Sequence, residues 1–288
     1  MFGIALSVAA CLRGGTRVDV AWNLDPDRTP RFDPADAVAI TPGGGKLGGL
    51  LGGAIDSRLV EMAAVNAENG RVITVELDQL EADAVGAAPG TVLRIMLAPA
   101  DTLPENLWAH LIERTPIGVD AELDGDRVTA STLIEAGPDG GPVTFDDASV
   151  VTRWRPTPTL VVMGPGPIAA AVARAGVFVG WQVEHYGNPE PAIGLAATLS
   201  PIDGLVVVGH DTEAAGRVLQ AALGSRAGYI GSIGPMALQE ARGDWLAYRG
   251  VTETGRIRGP AGIDIGARRP EEVAIAVTAE MIAAINPG

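Results

Sequence analysis

The sequence predicts an α/β protein in which an N-terminal mixed α+β domain precedes a C-terminal Rossmann-like parallel sheet with helices on both faces. Three observations support this fold class. A chain of 288 residues has the length of roughly two domains. The segment RWRPTPTL, residues 153–160, predicts a stiff connector because alternating prolines suit neither a helix nor a sheet. After this segment, strand-like and helix-like patterns alternate, so the predicted domains are residues 1–155 and 156–288.

In the second domain, four short apolar runs alternate with four segments of helical periodicity. Asp211 or Thr212 is a candidate N-cap of the second helix, and the last helix has acidic residues in its first turn. Such alternation favours parallel strands connected by helices. The predicted strands are TLVVM, GWQVEHY, DGLVVVGH and AGYIGSIG, and the predicted helices are IAAAVARAGVFVG, DTEAAGRVLQAAL, PMALQEARGDWLAYRG and RPEEVAIAVTAEMIAAI.

The first domain is less regular. Its first residues, MFGIALSVAACLRGG, lack a basic start and predict a buried helix rather than a signal peptide. A second helix is predicted within GGAIDSRLVEMAAVNAENG. Short β-rich segments bounded by turns predict strands that are mostly antiparallel; they are RVITVEL, TVLRIML, IGVDAEL, DRVTASTLIEA and GPVTFDD.

Charge and composition limit the classes of partner. The formal net charge is −14, of which −11 falls in residues 1–155 and −3 in residues 156–288, so an anionic ligand is expected to prefer the second domain. Nucleic-acid binding is not expected, because phosphates require a basic surface. No apolar run reaches about 18 residues, so we predict no membrane span. Cys11 is the single cysteine, which excludes an intramolecular disulfide and a cysteine-based metal site and suits a cytoplasmic location.

The turn after the first strand of the second domain reads GPGPIA and matches G-x-G-x-x-A. Gly164 permits a tight turn, Gly166 lets a ligand approach the backbone, and the amides up to Ile168 would bind a phosphate. Two features oppose nucleotide binding: Pro165 and Pro167 lack amide donors, and Gly187 stands where an acid usually binds a ribose. The alternative is therefore a Rossmann-like turn that binds no nucleotide.

The next two strands also end in candidate ligand residues. His210 could donate to an anion or move a proton, and Asp211 could orient a ligand, the alternative being a helix cap beside an exposed imidazole. The turn YIGSIGP contributes Gly231, Ser232 and Gly234. It is not a nucleophile elbow, so Ser232 is expected to bind rather than attack, and we predict no catalytic residue.

The segment RIRGPAGIDIGARRPEEVA is long for a loop inside a compact domain, which favours a functional role. Arg256 and Arg258 are candidates to bind an anion, and Gly262 and Asp264 belong to the same candidate site. The alternative is a solvated basic loop.

The segment TPGGGKLGGLLGG, residues 41–53, holds the only lysine, Lys46, and seven glycines. It is not a Walker A loop, because Leu47 follows the lysine. We interpret it as a flexible loop at an inter-domain cleft, the alternative being two β-turns around a short strand.

These segments resemble the XdhC/CoxI family, the maturation factors of molybdenum hydroxylases such as xanthine dehydrogenase and carbon monoxide dehydrogenase. The matching pieces are GPGPIAAAVARAGVFVGWQV, VVVGHDTEAAGRVLQAAL, YIGSIGP and GPAGIDIGARRPEEVAIAVTAEMIAA. GGLLGGAIDSRLVE is similar to the Gly-Gly-Cys-Val-Glu segment of the family, which makes Gly52, Gly53, Ala54 and Asp56 a further candidate loop. Ala54 occupies the position of the family's cysteine.

The resemblance implies an N-terminal XdhC/CoxI domain and a C-terminal Rossmann domain. It implies an accessory factor, or chaperone, that binds the molybdenum cofactor (molybdopterin) and supports its sulfuration and its insertion into a hydroxylase. The implied partners are the apo-hydroxylase and a cysteine desulfurase, and a homodimer is a further expectation. The alternative is an NAD(P)-dependent oxidoreductase, against which the absence of arginine between Trp181 and Asp203 weighs.

Overall fold

The computed structural model describes residues 1–65, 69–137, 141–146 and 148–286. The predicted helical segment GGAIDSRLVEMAAVNAENG includes residues 66–68, and the predicted strand GPVTFDD ends at residue 147. These four residues lie outside the described residues. The chain divides into two compact units, Met1–Pro156 and Thr157–Gly288. Within the described part of the chain, every helix is too short or too polar to cross a bilayer.

The first unit contains a nine-stranded sheet, counted over the described residues, in which every paired neighbour is antiparallel. The spatial order is β3-β2-β1-β5-β4-β7-β6-β9-β8. The strands are β1 Asp19–Asn23, β2 Ala37–Ile40, β3 Lys46–Gly48, β4 Arg71–Glu76, β5 Val92–Pro99, β6 Ile117–Asp124, β7 Arg127–Glu135, β8 Val143–Phe145 and β9 Ser149–Trp154.

Two helices accompany each face of this sheet. They are α1 Ala5–Arg13, α2 Asp56–Ala64, α3 Gln79–Val85 and α4 Leu107–Ile112. The alternation of a strand sends Val20 and Trp22 of β1 into the core with α1 and α4, while Ala21 joins the core with α2 and α3. Trp22 and Trp154 meet edge to face with ring centroids 5.4 Å apart. Because it is buried on both faces, β1 shows no alternating polar pattern and was not predicted from the sequence.

Two further expectations for the first unit are corrected. Residues 41–53 contain the short strand β3, paired with β2, and a 3₁₀ turn at Leu51–Gly53. The alternative of turns around a short strand therefore describes this segment, and the prediction of a flexible loop was wrong. The predicted connector is also shorter, because Arg153 and Trp154 still belong to β9.

The second unit is a five-stranded parallel sheet within the described residues, with helices on both faces, which confirms the predicted fold class. The spatial order is β11-β10-β12-β13-β14, and the cores place α5 and α9 on one face and α6, α7 and α8 on the other. The elements are β10 Thr159–Met163, α5 Pro167–Phe178, β11 Gln182–Tyr186, α6 Pro189–Ala196, β12 Gly204–Val207, α7 Thr212–Leu223, β13 Tyr229–Ser232, α8 Met236–Tyr248, β14 Ile257–Arg258 and α9 Pro270–Ile285.

An ion pair fastens the end of β1 to β5 in the first unit. The backbone amide of Arg94 donates to Asp25 Oδ2 at 2.7 Å, and its guanidinium donates to both oxygens of the same carboxylate. Burial alone would raise the pKa of Asp25, but the hydrogen bonds and the charge of Arg94 outweigh burial, so the pKa is lowered. The ionised pair therefore stabilises the protein above the unfolded-state pKa of about 4.

We expect Asp25→Asn to lower the free energy of unfolding at pH 7 by about 2 kcal/mol, because a buried charge-assisted contact is lost. Since the folded-state pKa is the lower one, this difference should shrink as the pH falls through that value. Urea unfolding at pH 7, 5 and 3 measures the difference. Asp27→Asn, at an exposed carboxylate nearby, is the control. An equal loss at all three pH values would contradict the assignment.

Candidate functional site

The strand order of the second unit creates a crevice at one edge of the sheet. The chain leaves β10 toward α5 on one face and leaves β12 toward α7 on the other, although the two strands are neighbours. Such a topological switch point is where open α/β sheets bind their ligands, at the carboxyl ends of the strands. The turns after β10 and β12 flank this point.

The turn after β10 depends on two glycines of different function. Gly164 has φ of +128°, and a Cβ there would lie 1.9 Å from the Val208 carbonyl oxygen, so only glycine fits. Gly166 has φ of +95°, and its Cβ would meet no atom within 4 Å, so the backbone there is open to a ligand. Ile168 lies in the first turn of α5, where amides lack partners inside the helix.

Contacts from β11 hold this turn in place. The Gly164 amide donates to the Tyr186 carbonyl at 2.9 Å, and His185 Nε2 lies 2.9 Å from the Gly164 carbonyl oxygen. The structure therefore places His185 as a support of the turn. No group of three or more metal-ligating side chains occurs among the residues that the structure describes.

After β12, Asp211 acts as the N-cap of α7: its Oδ1 accepts from the Ala214 amide at 2.9 Å. The structure thus gives Asp211 the capping role that was the alternative to orienting a ligand. His210 beside it is exposed and makes no side-chain hydrogen bond among the described residues. His210 consequently stays a candidate to contact a ligand.

The turn after β13 is largely occupied by the fold itself. Ser232 is fully buried; its hydroxyl donates to Gln239 Oε1 and accepts from Arg242 Nη1 at 2.6 Å. The Ile233 amide donates to the Val207 carbonyl at 2.9 Å. Ser232, which was predicted to contact a ligand, is therefore occupied by contacts within the fold. Gly231 and Gly234 shape the turn, and Gly234 has φ of +146°.

The two arginines of β14 and its approach have different environments. Arg256 donates to three carbonyl oxygens at the end of α7 and beyond it, those of Leu223, Ser225 and Ala227, so its guanidinium is used by the fold. Arg258 pairs in register with Gly231 at the end of β13 and is exposed. Its guanidinium has no hydrogen-bond or ion-pair partner among the described residues, so it is the better candidate for an anion.

Glu280 of α9 anchors the loop that follows Arg258. Its Oε2 accepts from the Gly262 amide at 2.8 Å and from the Tyr229 hydroxyl at 2.7 Å. Burial and this hydrogen bond raise the pKa of Tyr229, and the nearby charge of Arg258 opposes them. Gly262 itself packs on α9, since a Cβ there would lie 3.2 Å from Ala276 and Val277. Glu280 was not predicted as a site residue, although it lies in the segment GPAGIDIGARRPEEVAIAVTAEMIAA that resembles the family.

Asp264 makes a local contact inside the same loop. Its Oδ1 accepts from the Gly266 amide at 3.2 Å, and its side chain is exposed. Arg268 and Arg269 lie further along, where their backbone amides donate to Glu272 Oε2 at 2.8 Å and 3.0 Å. These bonds lower the pKa of Glu272 and fix the entry into α9.

The candidate loop of the first unit is fastened by Asp56. This carboxylate is buried, accepts from the Leu50 amide at 3.1 Å and pairs with Lys46 Nζ at 3.5 Å. Gly52 and Gly53 both have positive φ, as the turn before α2 requires. Ala54 follows them and is half-buried. Cys11 lines a separate cavity of about 170 Å³ that Ala54 does not line.

The parallel sheet, its switch point and its glycine turn define the second unit as a doubly wound α/β domain. Residues 160–281 match the family described as the XdhC Rossmann domain. The second unit is therefore similar to the XdhC Rossmann domain, which confirms the resemblance to the XdhC/CoxI family for this part of the chain. The comparison with curated proteins gives no match.

A solved structure of a xanthine dehydrogenase from Bacillus halodurans is 17% identical to this chain; the match covers 98% of this chain and 95% of that one, with a TM-score of 0.45. That TM-score is too low to support a conclusion. The first unit lies outside the family match, so its likeness to the N-terminal domain of the family stays a prediction.

Gly164→Ala should destabilise the second unit far more than Gly166→Ala. Both place a side chain at positive φ, which costs about 1–2 kcal/mol. Only the Gly164 variant adds a collision with the Val208 carbonyl, so β10 and β12 must separate. Urea unfolding of both variants measures the difference. Equal losses would mean that the turn relaxes and that the close approach is not a constraint.

Glu280→Ala should release the loop around Gly262, because an amide and a hydroxyl lose their shared acceptor. Amide hydrogen exchange at Gly262 is expected to accelerate about tenfold, which corresponds to about 1.4 kcal/mol of lost protection. Glu253→Ala, at an exposed carboxylate, is the control. Unchanged exchange at Gly262 in the Glu280 variant would show that the loop is held by packing on α9 alone.

Proposed function

We propose that this protein binds the molybdenum cofactor through the ligand edge of its second unit, and that it supports sulfuration of the cofactor and its insertion into a molybdenum hydroxylase. The observation that carries the proposal is the XdhC Rossmann domain over residues 160–281. The edge of that domain offers an open glycine turn and an arginine without a partner among the described residues.

The described residues fit the phosphate end of molybdopterin. Gly166 leaves open space beside the backbone, and α5 begins directly after it, so its amides and the positive end of its dipole favour an anion. Arg258 supplies a guanidinium that no carboxylate neutralises among the described residues. His210 is exposed after β12 and would orient the ligand by a hydrogen bond.

The residues fit the metal end of the cofactor less well. Ala54 stands at the position of the family's cysteine, so that position supplies no thiolate. When bound, the cofactor supplies the redox-active metal centre that the hydroxylase uses. The residues of this chain, in the proposal, bind the phosphate and orient the molecule, so we assign the protein a carrier role without a catalytic residue.

The proposal also covers the protein's partners, its location in the cell and its oligomeric state. A carrier of this kind needs an apo-hydroxylase of the xanthine or carbon monoxide dehydrogenase type to receive the cofactor, and a cysteine desulfurase to supply sulfur. A cytoplasmic location and a homodimer remain predictions.

An NAD(P)-dependent oxidoreductase receives less support from the end of β11. Glu184 accepts from the Tyr186 hydroxyl at 3.0 Å, and Glu190 forms an ion pair with Arg217 at 3.0 Å. Gly187 and Asn188 occupy the position between them, so neither a free carboxylate for a ribose nor an arginine for a 2′-phosphate is present there. A thermal-shift screen with NAD(H) and NADP(H) should show no stabilisation.

The proposal predicts that purified protein binds molybdopterin in a ratio of about 1:1, and that Arg258→Ala weakens this binding roughly tenfold or more. A charge-assisted hydrogen bond to a phosphate contributes about 1.5–3 kcal/mol. Arg174→Ala, at an exposed arginine on α5 that pairs with Glu271, is the matched control. Titration followed by quenching of tryptophan fluorescence measures all three proteins.

The outcomes separate the parts of the proposal. Binding by wild type with equal affinity in both variants would remove Arg258 and leave the function standing. No binding of molybdopterin at micromolar protein, together with stabilisation by NAD(H), would overturn the function.

A further inference from the structure

A cavity with polar residues in its lining lies in the second unit, on the face of the sheet covered by α7 and α8. Its volume is about 160 Å³. Its lining includes the polar residues Ser232, Gln239, Arg242 and Thr254, together with Gly243. Among the described residues that line this cavity, none is acidic, and Arg242 is the single charged one.

Arg242 is a buried cation that is bonded to neutral groups. Only 2% of its surface is exposed. Nη1 donates to Ser232 Oγ at 2.6 Å and to the Ile233 carbonyl at 3.0 Å, and Nη2 donates to the Gly209 carbonyl at 2.6 Å. Its Nε has no hydrogen-bond partner. Among the described residues, no carboxylate lies within ion-pair distance of this guanidinium.

The positive charge of Arg242 therefore has no counter-charge among the described residues, and its Nε donor has no acceptor. Burying an ion costs several kcal/mol, and folded proteins usually offset that cost with an opposite charge. Here carbonyl and hydroxyl oxygens accept hydrogen bonds from Nη1 and Nη2, and the buried Nε has no acceptor. Burial lowers the pKa of Arg242, as expected when no anion is near, yet arginine stays protonated in proteins.

We propose that this cavity binds a small oxyanion of the size of inorganic phosphate, with Arg242 as its counter-charge. The cavity is roughly five times the volume that one water occupies in the liquid, which suffices for a tetrahedral oxyanion. The Thr254 side chain makes no hydrogen bond within the described residues and is a further donor. Binding would place an opposite charge beside the guanidinium.

This site is distinct from the ligand edge proposed for the molybdenum cofactor. Successive side chains of a strand point to opposite faces. Tyr229 packs in the core with α9, and Ser232 contacts α8, so the two lie on opposite faces of β13. On β14, Ile257 packs with α7 and α8 and lines the cavity, so Arg258 belongs to the other face.

Arg242 also gives the cavity a connection to the edge. It binds the Gly209 carbonyl after β12 and the Ile233 carbonyl after β13, so one side chain holds the ends of both strands. An anion that pairs with Arg242 is thus expected to stabilise both turns.

The test uses the full chain and inorganic phosphate at constant ionic strength, with chloride as the replacement salt. Wild type should show a saturable rise in melting temperature with phosphate. Gly243→Leu should abolish the saturable rise, because Gly243 lines the cavity and has open space at its Cβ position, which lets the leucine fill the cavity. Gly194→Leu is the matched control: Gly194 lies in α6, is equally open and does not line the cavity.

Two further variants keep the test decisive. Arg242→Lys keeps the charge and should bind phosphate about tenfold more weakly, because lysine lacks the planar fork. Arg174→Ala removes an exposed arginine that pairs with Glu271, outside both proposed sites, and should leave the phosphate response unchanged. A response that is lost in Arg258→Ala but kept in Gly243→Leu would place the anion at the edge and overturn the cavity site. No saturable response in wild type would overturn it as well, whatever the result with molybdopterin.

Discussion

The close approach of Gly164 to the Val208 carbonyl is the constraint on which the second unit depends. It lets β10 and β12 lie side by side while their chains leave for opposite faces, and only a residue without Cβ can stand there. The crevice at the switch point follows from that geometry. The same approach positions Gly166 two residues further on, where a Cβ would meet no atom within 4 Å and the backbone stays uncovered. A packing requirement and an opening for a ligand are thus produced by one turn.

The polar network of the second unit is built largely from ions bound to neutral partners. Arg242 and Arg256 donate to carbonyl and hydroxyl oxygens, and Glu280 accepts from an amide and a hydroxyl. Such contacts satisfy donors without cancelling charge, unlike the ion pair of Asp25 with Arg94 in the first unit. The second half of the chain carries a net charge of only −3, against −11 in the first. Its positive groups are therefore less opposed by the surrounding charge, which suits anionic ligands.

Sequence patterns predicted the alternating elements of the second unit because each buried strand is a short apolar run flanked by turn residues. They missed α6, although its prolines at positions 189 and 191 lie in the first turn, where a helix tolerates proline. They also missed β14, which has two residues. At the site, the glycine turn was readable from its spacing. The hydrogen bonds of Ser232 with Gln239 and Arg242 could not be predicted from the sequence, because these partners lie seven and ten residues away and their positions depend on how α8 packs on the sheet.

The contact between Trp22 and Trp154 has an optical consequence for the first unit. Two indoles held at 5.4 Å and 74°, with Trp22 Nε1 donating to Thr152, form a rigid chiral pair whose excited states couple. Strands β1 and β9 are far apart in sequence, and they supply one ring each. The circular dichroism couplet of that pair would vanish when the sheet opens, whatever happens to the helices, and would give this unit a spectroscopic signal of its own.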